Sequence, residues 1–374
     1  MNILIAPNAF KQSLSAREAG LAIADGIRDS RLEAKTVVLP IADGGDGTLP
    51  ILSHYLGAKI EKITTTDPLG REVIARYGIN PETKTGIVEL AEASGIRWLD
   101  DSELNPWIAN TYGSGKILAF LVAQGCQELY FTVGGSASVD GGIGILEALG
   151  VKFYSEGKIF EPTGPCDFHK IDKLDAEMAS RTLQNVKIHL LADVENTLLG
   201  SQGAISVFGP QKGIRHDELA LFEQSMSHWV GLLESCSGKN IRDRQCSGAS
   251  GGVPAGLSAF FNTEIKKGGE EILSIAGFHQ ALQNADIVIT TEGQIDSQTG
   301  FGKGPGIVAR YARDAGKKVI GICGQISDDY NPSISYFDAV FPINSKLYPL
   351  KTAISRTRPN LRFTAMQIAN LLAS

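Results

Sequence analysis

Between Leu129 and Gly144 the chain reads LYFTVGGSASVDGGIG, and no other stretch constrains the fold as much. The short apolar run Leu129–Val133 breaks into a loop with five glycines in the eleven residues from Gly134 to Gly144, joined by Ser136, Ser138 and Asp140. Glycines let the main chain take positive φ and approach an anion closely, so that successive N–H groups converge on phosphate oxygens. Hydroxyls add donors, and a carboxylate in such a loop has a metal ion or a proton to handle. The helical stretch ILEALG follows, with its N-terminus pointing at the same spot. Strand, glycine loop and helix in succession are the pattern of a phosphate or nucleotide site. The plainer alternative, a tight turn whose glycines serve packing, explains one glycine pair but not the whole set.

The same texture recurs along the chain. Asn2–Ala6 reads as a buried parallel strand, and the loop after it carries Lys11 and Ser13. Ser15 and Glu18 form a capping box for a helix from Ala16 to about Asp29, with Ala19, Ile23 and Ile27 on one face. Lys11 and Ser13 therefore lie at the carboxyl end of a strand, where open α/β sheets place ligands. A second strand, Lys35–Leu39, leads into DGGDGT, whose acids Asp43 and Asp46 suit a hard cation or a substrate hydroxyl. From Ile60 to Leu99 short runs alternate with turn residues, as expected of a mixed sheet at the start of a second domain. The GSGK at 113–116 is not a P-loop, because Asn110 and Ile117 stand where that pattern needs Gly and Ser or Thr.

Further on, Asp193 and Glu195 follow the strand KIHLLA, and GPQKG supplies Lys212. Cys246–Gly256 is a small-residue loop, either a phosphate contact or a tight helix approach. Leu219–Leu233 has the period of an amphipathic helix. The last third returns to strand, loop and helix: DIVIT, then TEGQIDSQTGFGKGPG with Glu292, Asp296 and Lys303, then a helix opened by Pro305.

Length and composition narrow the choice of function. A chain of 374 residues with 43% hydrophobic and 20% charged residues reads as two domains of ordinary globular type. A net charge of −6 gives no electrostatic case for nucleic acid or an anionic membrane. The five cysteines show neither zinc spacing nor a disulfide framework, and the six histidines show no catalytic spacing. MNILIAPNAF is not a signal peptide and no run is long enough to span a membrane, so the expected location is the cytoplasm. Hydride transfer would call for GxGxxG after the first strand, and PNAFKQS stands there instead. Phosphoryl transfer asks for positioning, cations over phosphates and a carboxylate near the attacking hydroxyl, which the loops supply.

In order and spacing, PNAFKQSLSA, ADGGDGT, GGSASVDGGIG, ADVENTLLG, VFGPQKG, GASGGVPAG and TEGQIDSQT resemble the bacterial glycerate kinases, over nearly the whole chain. The resemblance implies phosphorylation of D-glycerate, dependent on ATP and Mg²⁺, to 2-phospho-D-glycerate. It implies an α/β fold of two domains with the active site in the cleft: a Rossmann-like domain with a parallel sheet from residues 1–64 and 279–374, and an inserted mixed-sheet domain over 65–278. Placed on this pattern, Gly134, Gly135, Ser136, Ser138 and Gly142 cradle the ATP phosphates. Lys11, Lys212 and Lys303 offset phosphate or substrate charge. Asp193 and Asp296 hold Mg²⁺ or accept the hydroxyl proton, with Glu292 as alternate, and Asp43, Asp46 and Ser13 bind glycerate. No nucleic-acid or membrane partner is expected, and a homo-oligomer is left open. Two other readings stay open at this stage: a non-catalytic sensor of a phosphorylated metabolite, and a nicotinamide-linked hydroxy-acid dehydrogenase.

Overall fold

The computed structural model describes residues 1–296, 299 and 304–373. In chain order its strands begin with β1 (Asn2–Pro7), β2 (Lys35–Val38), β3 (Lys59–Thr66), β4 (Glu72–Asn80), β5 (Thr85–Glu89) and β6 (Glu128–Thr132). They continue with β7 (Lys152–Ser155), β8 (Lys158–Phe160), β9 (Lys173–Asp175), β10 (Lys187–Ala192) and β11 (Thr263–Lys267). The last are β12 (Ile287–Ile295), β13 (Lys318–Ile326) and β14 (Ala339–Pro342). They fall into two units, Met1–Asp43 with Gly269–Ser374, and Gly44–Gly268.

The first unit is a parallel sheet in the order β14-β13-β12-β1-β2. Alternate residues of a strand point to opposite faces, and β1 uses both. Ile3 and Ile5 pack with Ile23, Ile27 and Leu361 on one side, while Leu4 and Ala6 pack with Phe278 and Val308 on the other. Burial on both faces is why NILIA reads as an unbroken apolar run. The expected helix runs Ala16–Arg28 with its capping box intact: Ser15 accepts from Glu18 N, and Glu18 accepts from Ser15 N at 2.9 Å. It lies so close to the helix Thr357–Leu372 that a Cβ added at Gly26 would sit 2.2 Å from the Arg362 carbonyl oxygen.

The second unit has a mixed sheet in the order β11-β10-β6-β5-β4-β3, with β4 antiparallel to both its neighbours, β3 and β5, and the pairings from β5 to β11 parallel. Leu129, Phe131, Ile188 and Leu190 form its core with Ile117, Leu118 and Ile145 from the helices Tyr112–Ala123 and Ile143–Ala148. A small antiparallel sheet, β8-β7-β9, packs through Phe153 and Leu174 into the same core.

Three local expectations differ. Residues 44–64 sit in the second unit, because β3 pairs with β4 from Lys59 to Thr66 and the helix Thr48–Tyr55 buries Leu49 and Leu52. Residues 269–278 sit in the first, where Leu273 and Phe278 are core. The strand read as DIVIT extends through TEGQI, held by Gln294 and Ile295 in register with Gln325 and Ile326 of β13. Glu292 is therefore a strand residue. GSGK lies inside a helix, and Gly113 is needed there because a Cβ would fall 1.9 Å from the Thr66 carbonyl oxygen. Among the described residues no helix is long and apolar enough to cross a membrane, and all five cysteines are free thiols.

The glycine contacts yield a paired prediction. Gly26→Ala forces two helices apart and should cost ~1–3 kcal/mol. Gly231→Ala, on the helix Leu219–Ser237 where a Cβ meets nothing within 4 Å, should instead stabilise by ~0.5–1 kcal/mol. Urea unfolding midpoints of the two variants on opposite sides of the wild type are the expected result.

Candidate functional site

The parallel strands of the second unit bring their carboxyl ends to one edge. Glu89 of β5 lies opposite Thr132 of β6, Thr132 opposite Leu191 of β10, and Ala192 opposite Lys267 of β11. Ligands of open α/β sheets gather at such an edge. The glycine loop leaves β6 there and Asp193 follows β10 there, and the turn Gly44–Thr48 completes the group. A Cβ on Gly134 would lie 2.6 Å from Gly45 Cα, and one on Gly44, at φ +90°, would lie 2.7 Å from Asp193 Oδ1. Three chain segments thus touch through positions that only glycine can fill.

Within the glycine loop the donors divide by direction. Asp140 is fully buried and accepts from Thr111 N (2.9 Å), Thr111 Oγ1 (2.7 Å), Ser138 Oγ (3.0 Å), Gly144 N (3.3 Å) and Gly142 N (3.4 Å). Burial drives its pKa up, and these bonds work against the rise. Asp140 is therefore the internal anchor of the loop. The Ser138 hydroxyl and the Gly142 N–H, expected to meet ATP phosphates, are turned inward to it. Gly134, Gly135 and Ser136 are not among the groups bonded to Asp140. Gly135 is exposed at φ +72°, and its carbonyl accepts from Ile96 N at 2.9 Å, which ties the loop to the chain after β5.

Lys212 comes from the short helical turn Pro210–Lys212 and is only 3% exposed. Its Nζ donates to Ser136 Oγ and to the Ser138 carbonyl, both at 2.6 Å. Burial pulls its pKa down to about 7, against the attraction of Asp140. A lysine poised between neutral and charged under a donor-rich glycine loop is a group that an arriving anion would keep protonated.

On the far side of the edge, Asp46 pairs with Arg97 at 2.6 Å; Arg97 also meets Glu92 at 2.8 Å, and Arg76 meets Glu92 at 2.6 Å. Burial would raise the Glu92 pKa, but the two guanidiniums hold it below the ordinary value. Glu89 has no exposure and accepts from Gly47 N and Leu49 N, and desolvation with its hydrogen bond to Asp46 pushes its pKa up to about 7. Nearby on these elements the Thr48 and Thr132 hydroxyls are buried with no hydrogen-bond partner among the described residues. Glu89 escaped the sequence reading. The available signal was a glutamate ending an otherwise apolar strand, TGIVE, since a buried charge requires partners.

The first unit carries its own group. Glu292 and Asp296 both lie within 3.1 Å of the Thr299 hydroxyl, and Asp296 Oδ1 also accepts from Thr299 N at 3.0 Å. Lys11 is exposed in the turn after β1. The Ser13 hydroxyl donates to the Ile354 carbonyl at 2.8 Å, so its proton ties the β1 loop to the C-terminal region. Asp43 and Asp46, read as a pair, fall in different units. Lys303 lies outside the described residues. The loop Cys246–Gly256 is the tight approach: a Cβ on Gly256 would sit 2.4 Å from the Gly141 carbonyl oxygen, and Gly141 N donates to Gly251 O at 2.9 Å. Among the described residues no three His, Cys, Asp or Glu side chains are grouped to hold a metal ion.

Comparison with known proteins shows what this chain is similar to. The profile described as the Glycerate kinase family matches residues 3–373. A glycerate kinase of Bacillus subtilis (strain 168) is 37% identical over 99% of this chain and 97% of its own length. A glycerate 2-kinase of Escherichia coli (strain K12) is 32% identical over 100% and 98%. A crystal structure of a Salmonella typhimurium LT2 protein designated glycerate kinase 2 superposes with a TM-score of 0.88 at 32% identity, covering 100% of this chain and 98% of that one.

The buried lysine predicts a pH dependence of stability. Between about 7 and the ordinary lysine value of 10.5 the unfolded chain binds a proton that the folded protein does not. Stability due to this group therefore rises with pH across that window and is level below it. From pH 7 to pH 9 the wild type should gain about 2 kcal/mol more than Lys212→Met, read from urea midpoints at the two pH values. Equal gains in both proteins would remove the titrating lysine.

Proposed function

The chain belongs to the glycerate kinase family, and from that premise we propose that it transfers the γ-phosphoryl group of ATP to the 2-hydroxyl of D-glycerate, giving 2-phospho-D-glycerate and ADP. As a member of that family it is a phosphotransferase that phosphorylates glycerate, with ATP as the donor. The sensor and dehydrogenase readings find no support in its relatives. Choice of the 2-hydroxyl rests on the relative named glycerate 2-kinase.

The observation that carries the assignment of roles is Lys212 Nζ beneath Ser136, next to the outward part of the glycine loop. In this reading Gly134, Gly135 and Ser136 receive the phosphates, and Lys212 balances their charge. Ser138 and Gly142 hold the loop in shape through Asp140. The γ-phosphorus parts from the bridging oxygen, which stays with ADP, and bonds to the substrate hydroxyl oxygen. The hydroxyl proton passes to a carboxylate, which we assign to Asp296 with Glu292 as alternate. Such a transition state is loose and asks mostly for positioning, so a weak base suffices. Asp46 takes up the glycerate hydroxyls or, through Arg97, its carboxylate. Lys11 contributes a cation.

Mg²⁺ uses one or two carboxylates beside phosphate oxygens and its own waters. Asp193, exposed at the end of β10, fits that mode without a three-ligand cluster. Asp296 and Glu292 are the other candidate ligands. When bound, the ion offsets phosphate charge.

Asp296→Asn should lower kcat by at least ~100-fold, since positioned proton and metal roles are worth that much. Turnover near wild type would remove Asp296 from the reaction. Phosphorus NMR of the product should show a single ester at C2, and a C3 ester would overturn the regiochemistry.

A further inference from the structure

Glu89 is a buried carboxyl for which phosphoryl transfer itself has no use. Its two oxygens accept different main-chain N–H groups, Oε1 from Gly47 at 2.9 Å and Oε2 from Leu49 at 2.8 Å. Both donors belong to the start of the helix Thr48–Tyr55, whose N-cap is Gly47 at φ +90° with no side-chain cap of its own. The first N–H groups of a helix need an outside acceptor. Here the acceptor arrives from another strand, about forty residues along the chain. A local Ser or Asp at the cap would satisfy the helix equally well, so capping alone does not explain a buried glutamate at the end of β5.

What the carboxyl grips supplies the reason. Asp46 immediately precedes Gly47, so the hold of Glu89 on Gly47 and Leu49, the residues on either side of Thr48, fixes the main chain at Asp46. Glu89 is fully buried, whereas the Asp46 side chain is 49% exposed and paired with Arg97 at 2.6 Å. Asp46 is then fixed from two sides, at its main chain through the Glu89 grip on the turn and at its carboxylate by the Arg97 guanidinium. Arg97 is in turn fixed by Glu92, and Glu92 by Arg76. The same turn touches Gly134 through Gly45.

We propose that Glu89 is a positioning residue for the reaction: it clamps the Gly44–Thr48 turn by its main chain and orients the Asp46 carboxylate toward glycerate. The proposal rests on the reading of Asp46 as a glycerate contact. Misplacement of a binding group by a fraction of an ångström to an ångström is costly in rate and affinity without any loss of fold.

The test compares Glu89→Ala, Glu89→Gln, Asp46→Asn and the double variant Glu89→Gln/Asp46→Asn, each checked for a cooperative thermal transition. Glu89→Ala should raise KM for glycerate by about 10- to 100-fold while KM for ATP stays within about twofold. Glu89→Gln keeps one acceptor for the two N–H groups of the turn, so it should fall between wild type and Glu89→Ala, and it serves if the alanine variant does not fold. The double variant should bind glycerate no worse than Asp46→Asn, because Glu89 acts through Asp46. Parallel rises in both KM values, or additive losses in the double variant, overturn the proposal. An impaired Asp46→Asn beside an unaffected Glu89→Gln overturns it while leaving the glycerate contact standing. A wild-type KM for glycerate in Asp46→Asn overturns the contact itself, and the proposal with it.

Discussion

One buried carboxylate, Asp140, carries the shape of the phosphate-type loop. A charge with no solvent is tolerated only when its lone pairs are taken up, and Asp140 collects five donors from three stretches of chain: Thr111, Ser138 and the start of the helix after Gly142. Those bonds decide which loop groups face inward. Lys212 then closes the loop from beneath by donating to Ser136 and to the Ser138 carbonyl. Ser138 is thus held at both ends, by its hydroxyl and by its carbonyl. The loop has little freedom left from Ser136 to Gly144, and the proposed phosphate contacts fall at its start, Gly134–Ser136.

The architecture that presents this loop was largely legible in the sequence. Runs such as NILIA and KIHLLA are buried on both faces, and their lack of alternation marks parallel strands. The Ser15–Glu18 capping box located the first helix to within a residue. Harder to see was the partner of each element. The helix Thr48–Tyr55 shows buried apolar residues without showing against what, and its packing on the second sheet moved the boundary from 64 to 43. TEGQI looks like a loop by composition, yet backbone pairing with β13 keeps it a strand. Tertiary pairing overrode local preference in both cases.

Site residues were legible by type and not by direction. Ser, Asp and Gly serve turns, caps and ligand contacts with the same atoms. Ser13, Ser138 and Gly142 carry the right donors for a phosphate, but Ile354 and Asp140 take them. Ser136 has the same composition-level signal and a buried ammonium beside it. Only the folded chain separates these outcomes. Glu89 was overlooked for the opposite reason: it sits in an apolar run, where the eye reads strand and not chemistry.

The electrostatics of the second unit tie these features together. It buries Lys212 and Glu89 at the same strand edge, and burial brings both near neutrality around pH 7, the lysine from above and the acid from below. Neither group then imposes a full charge on the free protein, which is how two ionisable side chains can be buried at modest cost. The asymmetry between them follows from their neighbours. Glu89 accepts from two main-chain N–H groups, so its oxygens are answered within the protein. Among the described residues Lys212 has a hydroxyl, a carbonyl and the saturated Asp140 nearby, so the charge it can carry is not fully answered by them. On the proposed reading a phosphate at Ser136 supplies the missing half of that pair, whereas the cations beside Glu89, Arg97 and Arg76, are already paired with Asp46 and Glu92. The proposed division of partners, a polyphosphate at Lys212 and a small hydroxy acid at Asp46, follows this difference between two neighbouring strand ends.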